Sequence, residues 1–346
     1  MLDELLNKTH RQIFCYNKNI GHQFVPNLNA RIINENGGYY VKTNSSGFRS
    51  DCEFIKEKKE KPRILFFGDS NTAADGVSNK ERFSDLIGEH FDAEIYNYGL
   101  SGSGTDQQYL IWKNYAQNVK ADLIVLCVLV ENIERNKVSY RESINPFTKK
   151  PSFIPKPHFE YKDNELLLKN FPIPRLRDDI SSIKEDMIQR AIPKKQEFIY
   201  NLINIWRQNK IFKPIRKKFD NSLKKFRSFL ISNFYQPYPD YKKNESKGYL
   251  LMDKILDKFT DSLPSIPVII LPIPTYHYYA DGAKPIYKNF FQKFENKKKN
   301  FIVLDLLNNL KKLDFNTRQS LCFKNDKSHF SQFGHKKISE FLIKEI

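Results

Sequence analysis

Residues 123–130 read LIVLCVLV, a run with no polar side chain at any position. It is too short to cross a bilayer and too uniformly apolar for a strand with one wet face. It therefore predicts a strand buried on both sides. Four shorter runs share its character: Arg63–Phe67 (RILFF), 93–96 (AEIY), 268–271 (VIIL) and 301–304 (FIVL). Between them lie segments with apolar residues at helical spacing, among them 81–90 and 105–118. Buried strands alternating with helices predict an α/β fold built on a parallel sheet. A last amphipathic helix is expected from near Ser331 to the C-terminus, with Ile338, Phe341, Leu342 and Ile346 on one face.

The alternation is interrupted once. More than a hundred residues separate the third and fourth runs, which exceeds an ordinary crossover. This stretch is rich in Pro, Lys and aromatic residues and contains PFTKKPSFIPKPHFEY. Two helices are expected beyond it. One follows Pro193 and includes Trp206; the other begins near Pro214 and carries Ile215, Phe219, Leu223, Phe226 and Leu230. Residues 137–248 are thus read as an inserted cap or lid, basic and partly helical. Residues 1–60 form an N-terminal elaboration, joined through a Lys-rich connector. Residues 61–136 and 249–346 make the main domain. Basic side chains crowd 207–227 against one acid, Asp220. That helix would either lie on anionic lipid with its Phe/Leu face down or pack the face on the main domain.

With 346 residues, 40% of them hydrophobic, the chain can form a substantial core, which argues against general disorder. A net charge of +17 favours acidic partners: nucleic acid, an anionic membrane surface or an acidic glycan. A plain solvated lysine-rich surface is the competing account. Cys15, Cys52, Cys127 and Cys322 form no CxxC pair and no Cys/His cluster, so neither a zinc site nor a disulfide framework is expected. Cys127, inside the apolar run, reads as a buried thiol. The N-terminus lacks the pattern of a signal peptide, and no apolar run reaches the ~18 residues of a membrane span. A cytoplasmic location is expected.

Polar clusters follow the strand-like runs. Gly68-Asp69-Ser70-Asn71-Thr72 comes directly after the first. A serine on a strand-to-helix turn sits at the carboxyl edge of the sheet, where open α/β folds bind ligands, although Asp, Ser and Asn are also ordinary helix caps. Asn97-Tyr98-Gly99-Leu100-Ser101-Gly102-Ser103-Gly104-Thr105 follows the second run. Its glycines suit backbone close to a ligand. Its spacing matches neither a phosphate loop nor a dinucleotide fingerprint. Glu131-Asn132-Ile133-Glu134-Arg135-Asn136 closes the third run, where a side-chain amide could reach a site or simply face solvent. Asp326-Lys327-Ser328-His329 precedes the last helix. A nucleophilic serine needs a base, and the base needs an orienting acceptor. His335, on the following helix, reads as structural.

Taken in order, these blocks resemble the SGNH (GDSL-like) hydrolase superfamily over roughly residues 61–136 and 265–346. NYGLSGSGTDQQ, DKSHFSQFGHKKISEFL and Asn44-Ser45-Ser46-Gly47-Phe48-Arg49 resemble members from bacterial surface-polysaccharide gene clusters. The resemblance implies a three-layer α/β/α sandwich with a five-stranded parallel sheet, of the flavodoxin-like SGNH type. It implies Ser70 as nucleophile, His329 as base and Asp326 as the group orienting His329. The oxyanion hole would be the backbone N–H of Ser70, the backbone N–H of Gly102 and the side-chain amide of Asn132. Gly102 is preferred to Gly99 because it follows Ser101 in the block. The third block often reads Asn-Asp, whereas here it is Asn132-Ile133, which leaves Asn136 as a competitor. Asn44, Arg49 and Asn71 are candidate substrate contacts, Arg49 with a structural carboxylate as the alternative.

The implied activity is a serine esterase removing acyl groups, typically acetyl, from a carbohydrate. An O-acyltransferase modifying a surface-glycan precursor shares the same acyl-enzyme. A non-catalytic polyanion-binding module is the third reading, disfavoured by the intact Ser70, Asp326 and His329. Nucleic-acid binding is disfavoured because no recognised motif accompanies the charge. The expected partner is an acylated glycan, anionic or lipid-linked, met in the cytoplasm or at the inner membrane face through the basic insert. The chemistry requires no cofactor and no metal.

Overall fold

The computed structural model describes residues 13–34, 37–57, 60–144, 151–173, 229–232, 235–295 and 297–346. The described chain opens with two antiparallel hairpins, β1 (Phe14–Asn17) with β2 (Gly21–Phe24) and β3 (Asn29–Ile32) with β4 (Tyr39–Lys42). The central sheet then begins. Its strands are β5 (Arg63–Phe67), β6 (Glu94–Asn97) and β7 (Leu123–Leu129), and later β12 (Val268–Ile273) and β13 (Phe301–Val303). They lie side by side in the order β6-β5-β7-β12-β13, all parallel. This order reverses direction at β5, and in such sheets the crevice at the carboxyl ends beside the reversal is the ligand site.

The five apolar runs are the five strands, and helices cover both faces as expected. Successive residues of a strand point to opposite faces. Phe66 packs edge-on against Phe83, while its neighbour Phe67 meets Trp112 and Phe259. Phe83 begins α2 (Phe83–Phe91), which packs on the C-terminal helix α10 (Gln332–Leu342). On the other face, α3 (Thr105–Ile111) packs on α5 (Lys247–Asp261). α3 ends in a π-helical turn, Trp112–Ala116, rather than running straight to 118. β12 outlasts its expected end and passes through Pro272. The missing N–H does no harm there, because β13 pairs only as far as Ile270. Ser331 caps α10 by accepting from Gly334 N. Ile338 and Leu342 are buried, and Ile346 is exposed.

The insert departs most from expectation. Its first part forms two antiparallel hairpins, β8 (Tyr140–Ile144) with β9 (Pro151–Pro155) and β10 (His158–Lys162) with β11 (Glu165–Lys169). The helix around Trp206 and most of that at 215–230 lie outside the described residues. α5 starts at Lys247 with Ser246 as its cap. The hairpins dock on the main body. Lys156, on the link between them, forms a buried ion pair with Asp106 of α3. Ile173 N donates to Lys18 O of the N-terminal segment at 3.1 Å. Among the described residues, no helix is long and apolar enough to cross a membrane.

Candidate active site

β5 ends at Phe67 and the chain turns sharply through Gly68. A Cβ at Gly68 would lie 1.9 Å from Thr72 Oγ1, so the turn needs glycine. Asp69 caps the short helix α1 (Ser70–Ala73) by accepting from Asn71 N. Ser70 is therefore the first helical residue, and its N–H lacks an intrahelical acceptor. Asp69 is itself buried and paired with Arg135, Oδ2 to Nη1 at 2.9 Å.

Across the carboxyl edge of the sheet, His329 Nε2 stands 2.9 Å from Ser70 Oγ. Its Nδ1 is 2.5 Å from Asp326 Oδ2, and Asp326 Oδ1 accepts from Ser328 N at 2.9 Å. Burial pulls the His329 pKa down, but the bond to Asp326 and the charges of Asp75, Asp326 and Asp69 outweigh it, and the pKa is raised. Burial works to raise Asp326, and its bond to His329 overcomes that and holds the carboxyl below its usual range.

Asn71 fixes this register. Its Nδ2 donates to Ser328 O at 3.2 Å and its Oδ1 accepts from Phe330 N at 3.2 Å, one residue either side of His329. Asn71, a candidate substrate contact, thus clamps the serine helix to the histidine loop. Asn44 and Arg49 are likewise buried inside the fold. Asn44 Oδ1 closes its own turn, accepting from Ser46 N and Phe48 N. Arg49 is buried and donates to the carbonyls of Ala73, Ala74 and Val77 and to Asn79 Oδ1. Among the described residues its hydrogen bonds go to neutral oxygens and to no carboxylate.

The glycine block lies beside α1. Gly99 packs so tightly that a Cβ would sit 2.4 Å from Ala73 N. Gly102 has φ +70° and its N–H donates to no group of the described residues. Asn132 opens the short helix α4 (Asn132–Arg135), is fully buried, and donates one amide hydrogen to Thr105 Oγ1 at 3.2 Å. Its second amide hydrogen is uncommitted. Asn136, the competitor, is occupied elsewhere, with Oδ1 accepting from Asp106 N and Nδ2 against Met252 Sδ.

Sequence reasoning missed three further groups. Asp75 Oδ2 lies 4.0 Å from His329 Nε2, and its Oδ1 accepts from Ser101 Oγ at 2.5 Å. Arg141, from the first inserted hairpin, donates through Nη1 to Ser101 O at 2.7 Å. His22, from the N-terminal hairpin, places Nε2 2.8 Å from the same oxygen. Asp75 stands five residues after the serine and so was open to a sequence guess. Nothing local marks Arg141 or His22. Among the described residues, no group of three or more His, Cys, Asp or Glu could hold a metal ion.

Among solved structures, the chain is similar to the acetylxylan esterase Axe2 from Geobacillus stearothermophilus, at 12% identity and TM-score 0.41 over 84% of this chain and 96% of that one. It is similar to the acetyl xylan esterase AlAXEase at 13% identity and TM-score 0.39, over 82% of this chain and 99% of that one. A protein of the G-D-S-L family from Desulfitobacterium hafniense DCB-2 is similar at 12% identity and TM-score 0.37, over 82% and 99% of the two chains. No protein-family model matches the chain, and no curated protein matches it. At these values the likeness is loose, and the roles of individual residues rest on the distances above.

Proposed function

We propose that the protein is a serine esterase of the SGNH type, acting on acyl groups, chiefly acetyl, carried by a carbohydrate. The observation behind this is the unbroken hydrogen-bonded line from Asp326 through His329 to Ser70, at 2.5 and 2.9 Å. Serine is a weak nucleophile until an adjacent base takes its proton. In this reading Ser70 Oγ attacks the ester carbonyl while His329 Nε2 accepts the proton. Asp326 keeps the imidazole in the tautomer with Nδ1–H and stabilises the imidazolium. The negative charge on the former carbonyl oxygen falls to the N–H groups of Ser70 and Gly102 and to the amide of Asn132. His329 returns its proton to the departing sugar hydroxyl. Water, deprotonated by His329, then cleaves the acyl-Ser70 ester. The carbohydrate assignment follows the sequence resemblance, and a sugar hydroxyl in place of that water gives the transferase version of the same cycle.

The test is hydrolysis of p-nitrophenyl acetate by the purified protein, beside Ser70→Ala, His329→Ala and Asn132→Ala. Either of the first two substitutions should lower turnover by roughly 10³ or more. Asn132→Ala should lower kcat by about 10²–10³ and leave KM nearly unchanged. Wild-type protein that neither hydrolyses the ester nor is labelled at Ser70 by a fluorophosphonate would leave the polyanion-binding module as the better account.

A further inference from the structure

The Ser101–Gly102 peptide is held from behind. It is a trans peptide, so its C=O and N–H point to opposite sides. The N–H is the proposed oxyanion donor. The C=O on the other side receives Arg141 Nη1 at 2.7 Å, with His22 Nε2 at 2.8 Å. His22 Nε2 and Arg141 Nη1 are also 3.0 Å apart, closing a triangle over the oxygen. Burial, with Arg141 next, pulls His22 down to a pKa of about 3, so the ring is neutral and Arg141 is the cation of the group. The guanidinium lies so close over Gly102 that a Cβ there would be 2.1 Å from Arg141 Cζ. Ser101 is fastened on its other arm as well, through Oγ to Asp75.

We propose that Arg141 is a positioning residue for the ester reaction, holding and polarising the Ser101–Gly102 peptide so that the Gly102 N–H meets the oxyanion. The inference rests on the esterase reading. Hydrogen bonds in series strengthen one another, and a cation on the carbonyl draws electron density from the N–H of the same peptide unit. The donor is thereby strengthened and its direction fixed before charge develops, which is the condition for oxyanion stabilisation. In this role Arg141 acts through the peptide it binds. It also gives the two segments outside the main domain a shared purpose. One brings His22 and the other Arg141 to a carbonyl that the five-stranded sheet leaves open.

The experiment compares wild type with Arg141→Gln and Arg141→Lys. Kinetics on p-nitrophenyl acetate should show kcat lowered by about 10–100-fold in Arg141→Gln with KM within about twofold. Arg141→Lys, which keeps a cation and a donor, should recover part of the loss. In protein labelled with 15N-glycine, the Gly102 amide proton should move upfield in Arg141→Gln while the other glycines stay in place. A merely structural role would disturb many glycine signals and the thermal midpoint together. Unchanged kcat, or a Gly102 amide that does not move, overturns the proposal. If wild type fails both hydrolysis and fluorophosphonate labelling, the esterase reading fails instead. The Gly102 amide then still reports whether Arg141 polarises this peptide.

Discussion

His329, the proposed base, stands between opposing influences, and their balance would fix the pH at which it accepts a proton. Burial favours the neutral ring, while the bond to Asp326 and the carboxylates of Asp75, Asp326 and Asp69 favour the cation. The carboxylates win, and the pKa rises above the ordinary 6.5. A base must be unprotonated, so kcat/KM should climb through a limb above that value as pH increases. Asp75→Asn removes one negative charge beside Nε2 and keeps an acceptor for Ser101 Oγ. The imidazolium loses support, the pKa falls, and the limb should move to lower pH. A limb that stays in place in a pH–rate profile would mean that Nε2 does not feel Asp75 across 4.0 Å. Asp75 also shows the limit of reading residues from sequence. Ser70, Asp326 and His329 could be singled out because each lies in a short polar block beside a strand-like run or the last helix, and the structure brings the three side chains together. The significance of Asp75, His22 and Arg141 exists only once distant segments converge on Ser101.

The short helix carrying Ser70, the proposed nucleophile, has four residues and cannot hold its own shape. Its support comes from outside. Asp69 closes its start, and the guanidinium of Arg49 binds the carbonyls of Ala73, Ala74 and Val77 at and beyond its end. Arg49→Met would leave these buried acceptors, with Asn79 Oδ1, short of a donor. Each orphaned buried group costs about 1–3 kcal/mol, so a loss on the order of 3 kcal/mol or more is expected in urea denaturation. A loss under about 1 kcal/mol would show that the carbonyls find other partners. The sequence placed Arg49 near the site but could not assign its partners, because main-chain carbonyls leave no trace in residue type. The hairpin β10–β11 left a trace that was passed over. HFEYK and ELLLK flank Asp163-Asn164, and both turn residues have positive φ, 51° and 62°. Two such residues between strands are the signature of a tight hairpin turn. This part of the insert was read only as a stretch rich in Pro, Lys and aromatic residues, because Pro and Lys blur strand alternation.

At the scale of the whole molecule, the question is how an insertion between strands three and four is kept in register with a site on the opposite side of the sequence. The central sheet was legible because its strands are short, largely apolar runs, whereas no local pattern marks how the insert is attached, and one of its attachments is a buried charge pair. Lys156 is 3% exposed and Asp106 is fully buried. Asp106 sits in the first turn of α3, directly after the glycine block, so the pair links the inserted hairpins to the loop carrying Gly102. Taking two charges out of water is costly, and the pair need add little net stability. Removing one partner is another matter, since it strands the other charge in a dry interior. Lys156→Met should therefore cost about 3–5 kcal/mol in urea denaturation. Removing both charges, in Lys156→Met with Asp106→Leu, should recover most of that loss, because no ion remains unpaired. The kinetic consequence separates fastening from folding. A loosened hairpin withdraws Arg141 from Ser101, so the double variant should regain stability and still show the lowered kcat expected of Arg141→Gln. A double variant with both stability and full turnover would mean that the pair is dispensable for seating Arg141, and that packing of Phe159 against Tyr109 holds the hairpin unaided.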